Sequence, residues 1–200
     1  SIATNLKVEG VEQKDFCQKK DGRHLSLTVS TKNKPLTINN FYVPAGGDEP
    51  DPEINDKFKH KLDFLDEAGS WLKSKKNKED LILLVGDLNI APHENDVWSH
   101  KQLIKIVSHT PVEVKKLEEL RSSYDFKDSI RKFHPYKNKL YSWWSYRSKN
   151  WEESNRGRRL DHIWASPELD KFITSTSIEK KVRNFERPSD HVPLIADLKF

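Results

Sequence analysis

Methionine is absent from this 200-residue chain, which opens on Ser1-Ile2-Ala3. A complete translation product begins with methionine, so the sequence is read as a processed product or as part of something longer. Cysteine is almost absent: Cys17 stands alone, which excludes an internal disulfide and points to a reducing compartment. No apolar run approaches the roughly 20 residues that a membrane-spanning helix needs, and the N-terminus lacks a signal-peptide core. The expectation is a soluble, cytoplasmic protein with no membrane partner. Zinc fits poorly, since there is one cysteine, no H-E-x-x-H, and no paired ligand spacing among the eight histidines. A G-x-S-x-G elbow and a P-loop are both missing, which removes the serine-nucleophile and nucleotide-cradle classes.

What is present is a polar but foldable chain. Charged residues make up 33% and hydrophobic residues 34%, yet six Trp, nine Phe and five Tyr supply core material that a disordered chain would lack. Nothing divides residues 1–200, so one domain is expected. The net charge of +4 permits a polyanionic partner without requiring one. Lys73 to Lys78 reads as a solvated helix end rather than a binding stripe.

Residues 1–22 show little periodicity, whereas the alternation of Leu25, Leu27 and Val29, resumed at Leu36 and Ile38, predicts a hairpin over 24–43 turning at Lys32-Asn33-Lys34. Asp51-Pro52 resembles a helix start, and Phe58, Leu62, Leu65, Ala68 and Leu72 recur at helical spacing, predicting a helix over 53–75. Residues 93–107 look irregular, with Trp98 as an anchor. Thr110-Pro111-Val112-Glu113 fits a capping box, with Val114, Leu117, Leu120 and Tyr124 on the inner face of the helix that follows. A short helix is expected over 126–133, strands over 140–146, 160–165, 173–178 and 192–198, and a polar loop over 149–158. The element order is that of a mixed α/β domain with helices outside its sheet system.

The chemistry centres on Leu81-Ile82-Leu83-Leu84-Val85-Gly86-Asp87-Leu88-Asn89. Five apolar residues read as a strand buried on both faces. In extended chain, Asp87 and Asn89 project together beyond it, at the strand end where open α/β sheets place ligands. Gly, Asp and Asn are equally good turn formers, so the same residues also read as a plain turn. Asp161 lies within a strand and Asp190-His191 begins another, and charge at such positions is costly unless paired or bound to metal. Asp161 has Arg159 on its own face as a possible partner, and Asp190 has a capping role open to it. If these groups converge, they form an oxygen-rich pocket with one imidazole, suited to Mg²⁺ or Mn²⁺ and to metal-assisted hydrolysis. Ser142-Trp143-Trp144-Ser145-Tyr146-Arg147 sets aromatic rings beside a cation, as stacking on a base or sugar and holding a phosphate require. Alternation along a strand makes at least one of Trp143 and Trp144 a core residue.

Five stretches in order, Asn40 to Gly46, Gly86 to Pro92, Tyr141 to Arg147, Asn155 to Ile163 and Arg187 to Pro193, resemble the exonuclease III family of DNA-repair nucleases, within the endonuclease/exonuclease/phosphatase superfamily. The resemblance implies a DNase I-like four-layer α/β sandwich, two packed mixed sheets with helices outside. It also implies a monomeric hydrolase of DNA repair, acting on double-stranded DNA as a 3′-to-5′ exonuclease and abasic-site endonuclease, with Mg²⁺ or Mn²⁺. Carried over by motif, Tyr42 contacts the scissile phosphate, Asp87 handles the proton of water or leaving group, and Asn89 holds phosphate and metal. Asp190 binds metal, and His191 contacts phosphate or acts as base, oriented by Asp161. Trp143 and Trp144 wall the pocket for an abasic sugar, with Arg147 nearby on the DNA. The family normally begins with a strand ending in asparagine and a second ending in a metal-binding glutamate. Residues 1–30 match neither, so the resemblance implies an N-terminally truncated chain that lacks part of one sheet. Two other readings stay open: a phosphatase on lipid or sugar phosphates from the same superfamily, and a non-catalytic DNA-binding fragment.

Overall fold

The computed structural model describes residues 1–32, 34–148 and 150–200. Asn33, in the middle of the expected hairpin turn, and Lys149, at the start of the expected polar loop, lie outside the described residues. The elements run β1 (Val8–Glu12), β2 (His24–Val29), β3 (Leu36–Tyr42), α1 (Asp56–Ser74), β4 (Leu81–Asp87), α2 (His100–Leu103), α3 (Pro111–Ser123), β5 (Lys127–Asp128) and α4 (Ser129–Phe133). There follow β6 (Trp143–Trp144), α5 (Trp151–Ser154), β7 (Gly157–Arg158), β8 (Asp161–Ala165), α6 (Pro167–Asp170), β9 (Ile173–Ile178) and β10 (Leu194–Leu198).

A six-stranded sheet in the order β1-β2-β3-β4-β8-β5 forms the centre, with the antiparallel pairs β9–β10 and β6–β7 beside it. β2 and β3 form the expected hairpin, and α1 carries the chain over to β4, which pairs parallel to β3. The alternation along β4 sends its side chains two ways. Ile82 and Leu84 pack with Phe64, Leu65 and Ala68 of α1 and Leu117 and Leu120 of α3. Leu83 and Val85 face Ile178, Leu194 and Ala196 of the small sheet. The result is a mixed α/β sandwich of stacked sheets with helices outside. Among the described residues, no helix is long and apolar enough to cross a membrane.

Helix α1 starts later than its sequence suggests. Asn55, not Asp51, is the cap, and its side chain accepts from the backbone N–H of Lys57 and Phe58. Asn55 also donates to the Gly46 carbonyl at 2.9 Å, so the cap simultaneously ties down the loop after β3, which Asp51 at the helix approach does not do. The capping box at Thr110 and Glu113, with Pro111 in the first turn, forms as expected.

Three other expectations change. Residues 8–12 form an edge strand, invisible to a periodicity reading because β1 is mostly exposed on both faces. The helix expected from 126 begins only at Ser129, capped by Asp128, because residues 127–128 first pair with β8. The aromatic strand of 140–146 shrinks to β6, and the loop before Arg158 contains α5 and β7. Both segments take their pairing from remote chain rather than from local pattern, with Ser142 and Val192 joined by the Val192 N–H.

Candidate active site

Tyr42, Asp87 and Asp161 come from three strands but occupy one row. Tyr42 pairs with Asp87 across the parallel β3–β4 ladder, and Asp87 with Asp161 across the antiparallel β4–β8 ladder. Ladder partners project from the same face, so register alone assembles the three at the sheet rim. Gly86 makes this possible: with φ of +127°, a Cβ there would lie 2.0 Å from the Phe41 carbonyl oxygen. Only glycine fits so close an approach.

Asp87 and Asn89 do converge, but not by the extended pleat that the sequence predicts. Asn89 is left-handed, at φ of +54°, a conformation that asparagine tolerates better than most residues. Its backbone N–H donates to Asp87 Oδ1 at 2.9 Å, and its Nδ2 donates to Asp87 Oδ2 at 3.0 Å and to the Val43 carbonyl at 2.9 Å. The turn and the functional pair are therefore the same object.

His191 reaches this row from the start of the last segment, bridged to Trp143. Its Nδ1 donates to Asp161 Oδ2 at 2.8 Å, and its Nε2 stands 4.0 Å from Asp87 Oδ2. Ser142 positions this carboxylate. Its buried hydroxyl donates to Asp161 Oδ2 at 2.6 Å and accepts the backbone N–H groups of Leu160 and Asp161, each at 3.0 Å. Ser142 sits inside the aromatic motif but carried no assigned role in the sequence. Burial and the facing Asp161 carboxylate push the Asp87 pKa up to about 6. At His191 burial opposes the charged form, but the hydrogen bond and charge of Asp161, aided by Asp87 and Asp190, outweigh it and raise its pKa.

The ligand atoms of Asp87, Asp161 and His191 lie within 4.8 Å of one another. Two carboxylates held this close, with one raised in pKa by the other, suit a cation among oxygen donors. Asp161 Oδ2 already accepts from His191 Nδ1 and Ser142, and both Asp87 oxygens accept from Asn89, so a cation would meet these carboxylates through their remaining lone pairs.

Asp190, which the resemblance implies as a metal ligand, is placed beside Trp143. It stands outside that cluster, and its Oδ2 accepts the indole N–H of Trp143 at 2.9 Å. Neighbours in extended chain face opposite ways, so delivering His191 to the row turns Asp190 toward the tryptophan. Trp144 departs from its expected role. It is fully buried, with Nε1 on Asn155 Oδ1 at 3.1 Å and its ring against Tyr141 and Trp151, so it is a core residue and not a pocket wall. Trp143, Tyr42 and Arg147 do line the cavity of about 1010 Å³ that opens over Asp87, Asn89 and His191. Tyr42 is 52% exposed there, with the Arg23 guanidinium over its ring.

Arg159 does not pair with Asp161. Its guanidinium is wholly buried, bidentate on Asp96 with both contacts at 2.9 Å, and reaches Asp128 at 2.8 Å. It also donates to His162 Nδ1 at 3.2 Å, which leaves the His162 Nε2–H to donate to the Ile90 carbonyl at 2.9 Å. His162 is thereby held neutral. Burial first, and the Arg159 charge second, push its pKa down from 6.5 to about 4. Above pH 6.5 this group leaves stability untouched. As pH falls from there toward 4, the unfolded chain takes up a proton that the folded chain refuses, and stability is lost. At about pH 5 the loss is on the order of 2 kcal/mol. Asp87 and His191 titrate in the opposite sense, so the measurement is a comparison. Urea unfolding near pH 7.5 and pH 5 should show the wild type losing more stability on acidification than His162→Asn. Identical losses would contradict a neutral buried His162.

Lys61 was also missed, although it interrupts the apolar stripe of α1 between Phe58 and Leu62. It is fully buried, and its Nζ donates to Glu113 Oε1 at 2.5 Å, to the Asn89 carbonyl at 2.9 Å and to the Ala45 carbonyl at 3.2 Å. This one cation ties together the loop after Tyr42 and the turn that carries Asn89.

Residues 7–191 match the Endonuclease/Exonuclease/phosphatase family. Exodeoxyribonuclease III of Haemophilus influenzae is 34% identical over 183 residues, covering 88% of this chain and 67% of the relative. Among solved structures, an AP endonuclease from Archaeoglobus fulgidus superposes with a TM-score of 0.88 at 27% identity, covering 98% of this chain and 72% of that one. The 3′ phosphatase NExo from Neisseria, bound to product DNA hairpin, superposes with a TM-score of 0.87 at 24% identity, covering 98% and 73%. At that identity the likeness to NExo concerns the fold.

Proposed function

Because the chain belongs to the Endonuclease/Exonuclease/phosphatase family, we propose that it is a divalent-metal-dependent DNA-repair phosphodiesterase, acting on abasic sites and 3′ ends of duplex DNA. The observation that carries this reading is the Asp87–His191–Asp161 arrangement on one row with Tyr42, opening into a cavity walled by Trp143. A phosphodiester is anionic and repels an anionic nucleophile, so its hydrolysis needs neutralised charge and a positioned water.

The residues divide that work. Asp87, with a pKa near 6, is largely ionised at neutral pH and close enough to it to take the proton of an attacking water. Asp161 fixes His191 with Nδ1 inward, so Nε2 faces the cavity. Its raised pKa favours the imidazolium, which donates Nε2–H to a phosphate oxygen. Tyr42 offers its hydroxyl to the same phosphate, while Trp143 stacks on the sugar and Arg147 meets the strand at the rim. Asp87 and Asn89 would hold Mg²⁺, or Mn²⁺ in its place, and such an ion would supply Lewis-acid neutralisation of the phosphate.

The test is cleavage of a duplex with one abasic site and of a duplex with a recessed 3′ end, each with Mg²⁺ and with EDTA. Cleavage of both that needs the metal is the expected result. Hydrolysis confined to a small phosphoester, with both duplexes intact, would replace this reading with a phosphatase. Duplex binding with no hydrolysis under Mg²⁺ or Mn²⁺ would replace it with a binding module.

A further inference from the structure

Arg158, a half-buried cation, differs from three buried cations near the site. Lys61 is matched by Glu113, Arg131 by Asp96, and Arg159 by Asp96 and Asp128. Arg158 has no carboxylate partner among the described residues. Its Nη1 donates to the Val107 carbonyl at 3.0 Å and to Ser108 Oγ at 2.6 Å, which pins the side chain. Among the described residues, Nε and Nη2 carry no hydrogen bond, and the guanidinium carbon lies 5.6 Å from the centre of the Trp143 ring. Arg158 lines the same cavity as Asp87, Asn89 and His191. A half-buried charge without a contacting counter-ion is costly, and burial pushes its pKa down against the pull of the Glu113 charge. Glu113 acts on it only from beyond contact distance, so an anion entering the cavity would supply the contacting counter-charge.

The fold says where that charge sits. Arg158 pairs with Trp143, and Trp143 is in turn bridged to His191. Arg158 and His191 are therefore two strand spacings apart, roughly 10 Å. This suits a group next to the one that His191 addresses. A guanidinium with two free donor nitrogens is shaped for the oxygens of a phosphate.

We propose that Arg158 is a specificity-determining residue that hydrogen-bonds a backbone phosphate flanking the scissile one, so that the cavity reads a polyphosphodiester strand rather than an isolated phosphoester. The assignment rests on the nuclease reading above. It makes duplex affinity depend on a second phosphate and disfavours small phosphomonoesters.

The experiment measures binding apart from turnover. Anisotropy of a fluorescein-labelled abasic duplex is titrated in EDTA across a salt series, for wild type, Arg158→Leu and Arg158→Lys. Arg158→Leu should bind roughly tenfold more weakly or worse, and its slope of log affinity against log salt should be shallower by about 1. Arg158→Lys should keep the slope with an intermediate affinity. In Mg²⁺ turnover, Arg158→Leu should raise KM far more than it lowers kcat. A second measurement needs no variant: one uncharged methylphosphonate linkage is walked along the wild type's substrate, and one flanking position should weaken binding about tenfold. An unchanged slope in Arg158→Leu, or no sensitive flanking position, would overturn the assignment and leave Arg158 as a brace for residues 107–108. A wild type that binds duplex with a sensitive flanking position but never cleaves would sink the nuclease reading alone.

Discussion

Asp161→Asn should lower turnover on abasic duplex by roughly 10³- to 10⁴-fold, while duplex affinity stays within a few-fold and the melting temperature within a few degrees. The magnitude follows from carboxylate–histidine pairs in which an amide replaces the acid. Asp161 Oδ2 accepts from both His191 Nδ1 and Ser142 Oγ. An amide oxygen at that position would keep both contacts, so the fold should survive. What is lost is charge. Asp161 raises the pKa of His191 by hydrogen bond and charge, and it also raises that of Asp87. Removing it lowers both, leaving less imidazolium to meet the phosphate and a weaker base at Asp87. The pH profile of kcat/KM should therefore shift toward lower pH as the rate falls. Equal losses of binding and turnover, with the profile in place, would make Asp161 a structural residue.

Lys61→Met should have the largest effect on stability, about 3–5 kcal/mol, or a drop in Tm on the order of 10 °C for a chain of 200 residues. Losing Lys61 strands Glu113 as a buried charge. Its remaining partners are the backbone N–H groups of Ser108 and Thr110 and the Thr110 hydroxyl. Glu113→Gln keeps an acceptor for them without the charge, so Lys61→Met/Glu113→Gln should recover most of the lost stability. It should not recover activity, because the Ala45 and Asn89 carbonyls stay untethered and the two loops that carry Tyr42 and Asn89 lose their common anchor. Urea unfolding of both singles and the double variant supplies the cycle, and turnover of the double variant separates positioning from stability. A cost below about 1 kcal/mol for Lys61→Met would show the pair to be incidental.

Some of this protein is written in local pattern. The inner face of α1, the Thr110–Glu113 capping box and the β2–β3 hairpin all follow from spacing and side-chain chemistry within a few residues, and the structure contains each of them. The ordered motifs around Asp87, Trp143, Asp161 and His191 likewise carried the family, because the residue types that such chemistry needs are few. Tertiary structure decided what sequence spacing leaves open. Tyr42, Asp87 and Asp161 form one row because of the strand register, which no single stretch encodes. His191 rather than Asp190 faces that row, and Trp143 rather than Trp144 faces the cavity, because extended chain alternates and only the packing partner chooses the side. The partners of Arg159 and Lys61 were illegible for a related reason. Asp96 lies 63 residues from Arg159, and Glu113 lies 52 from Lys61. Burial gives a charge no choice but to find a counter-charge; the fold alone determines which one comes within reach.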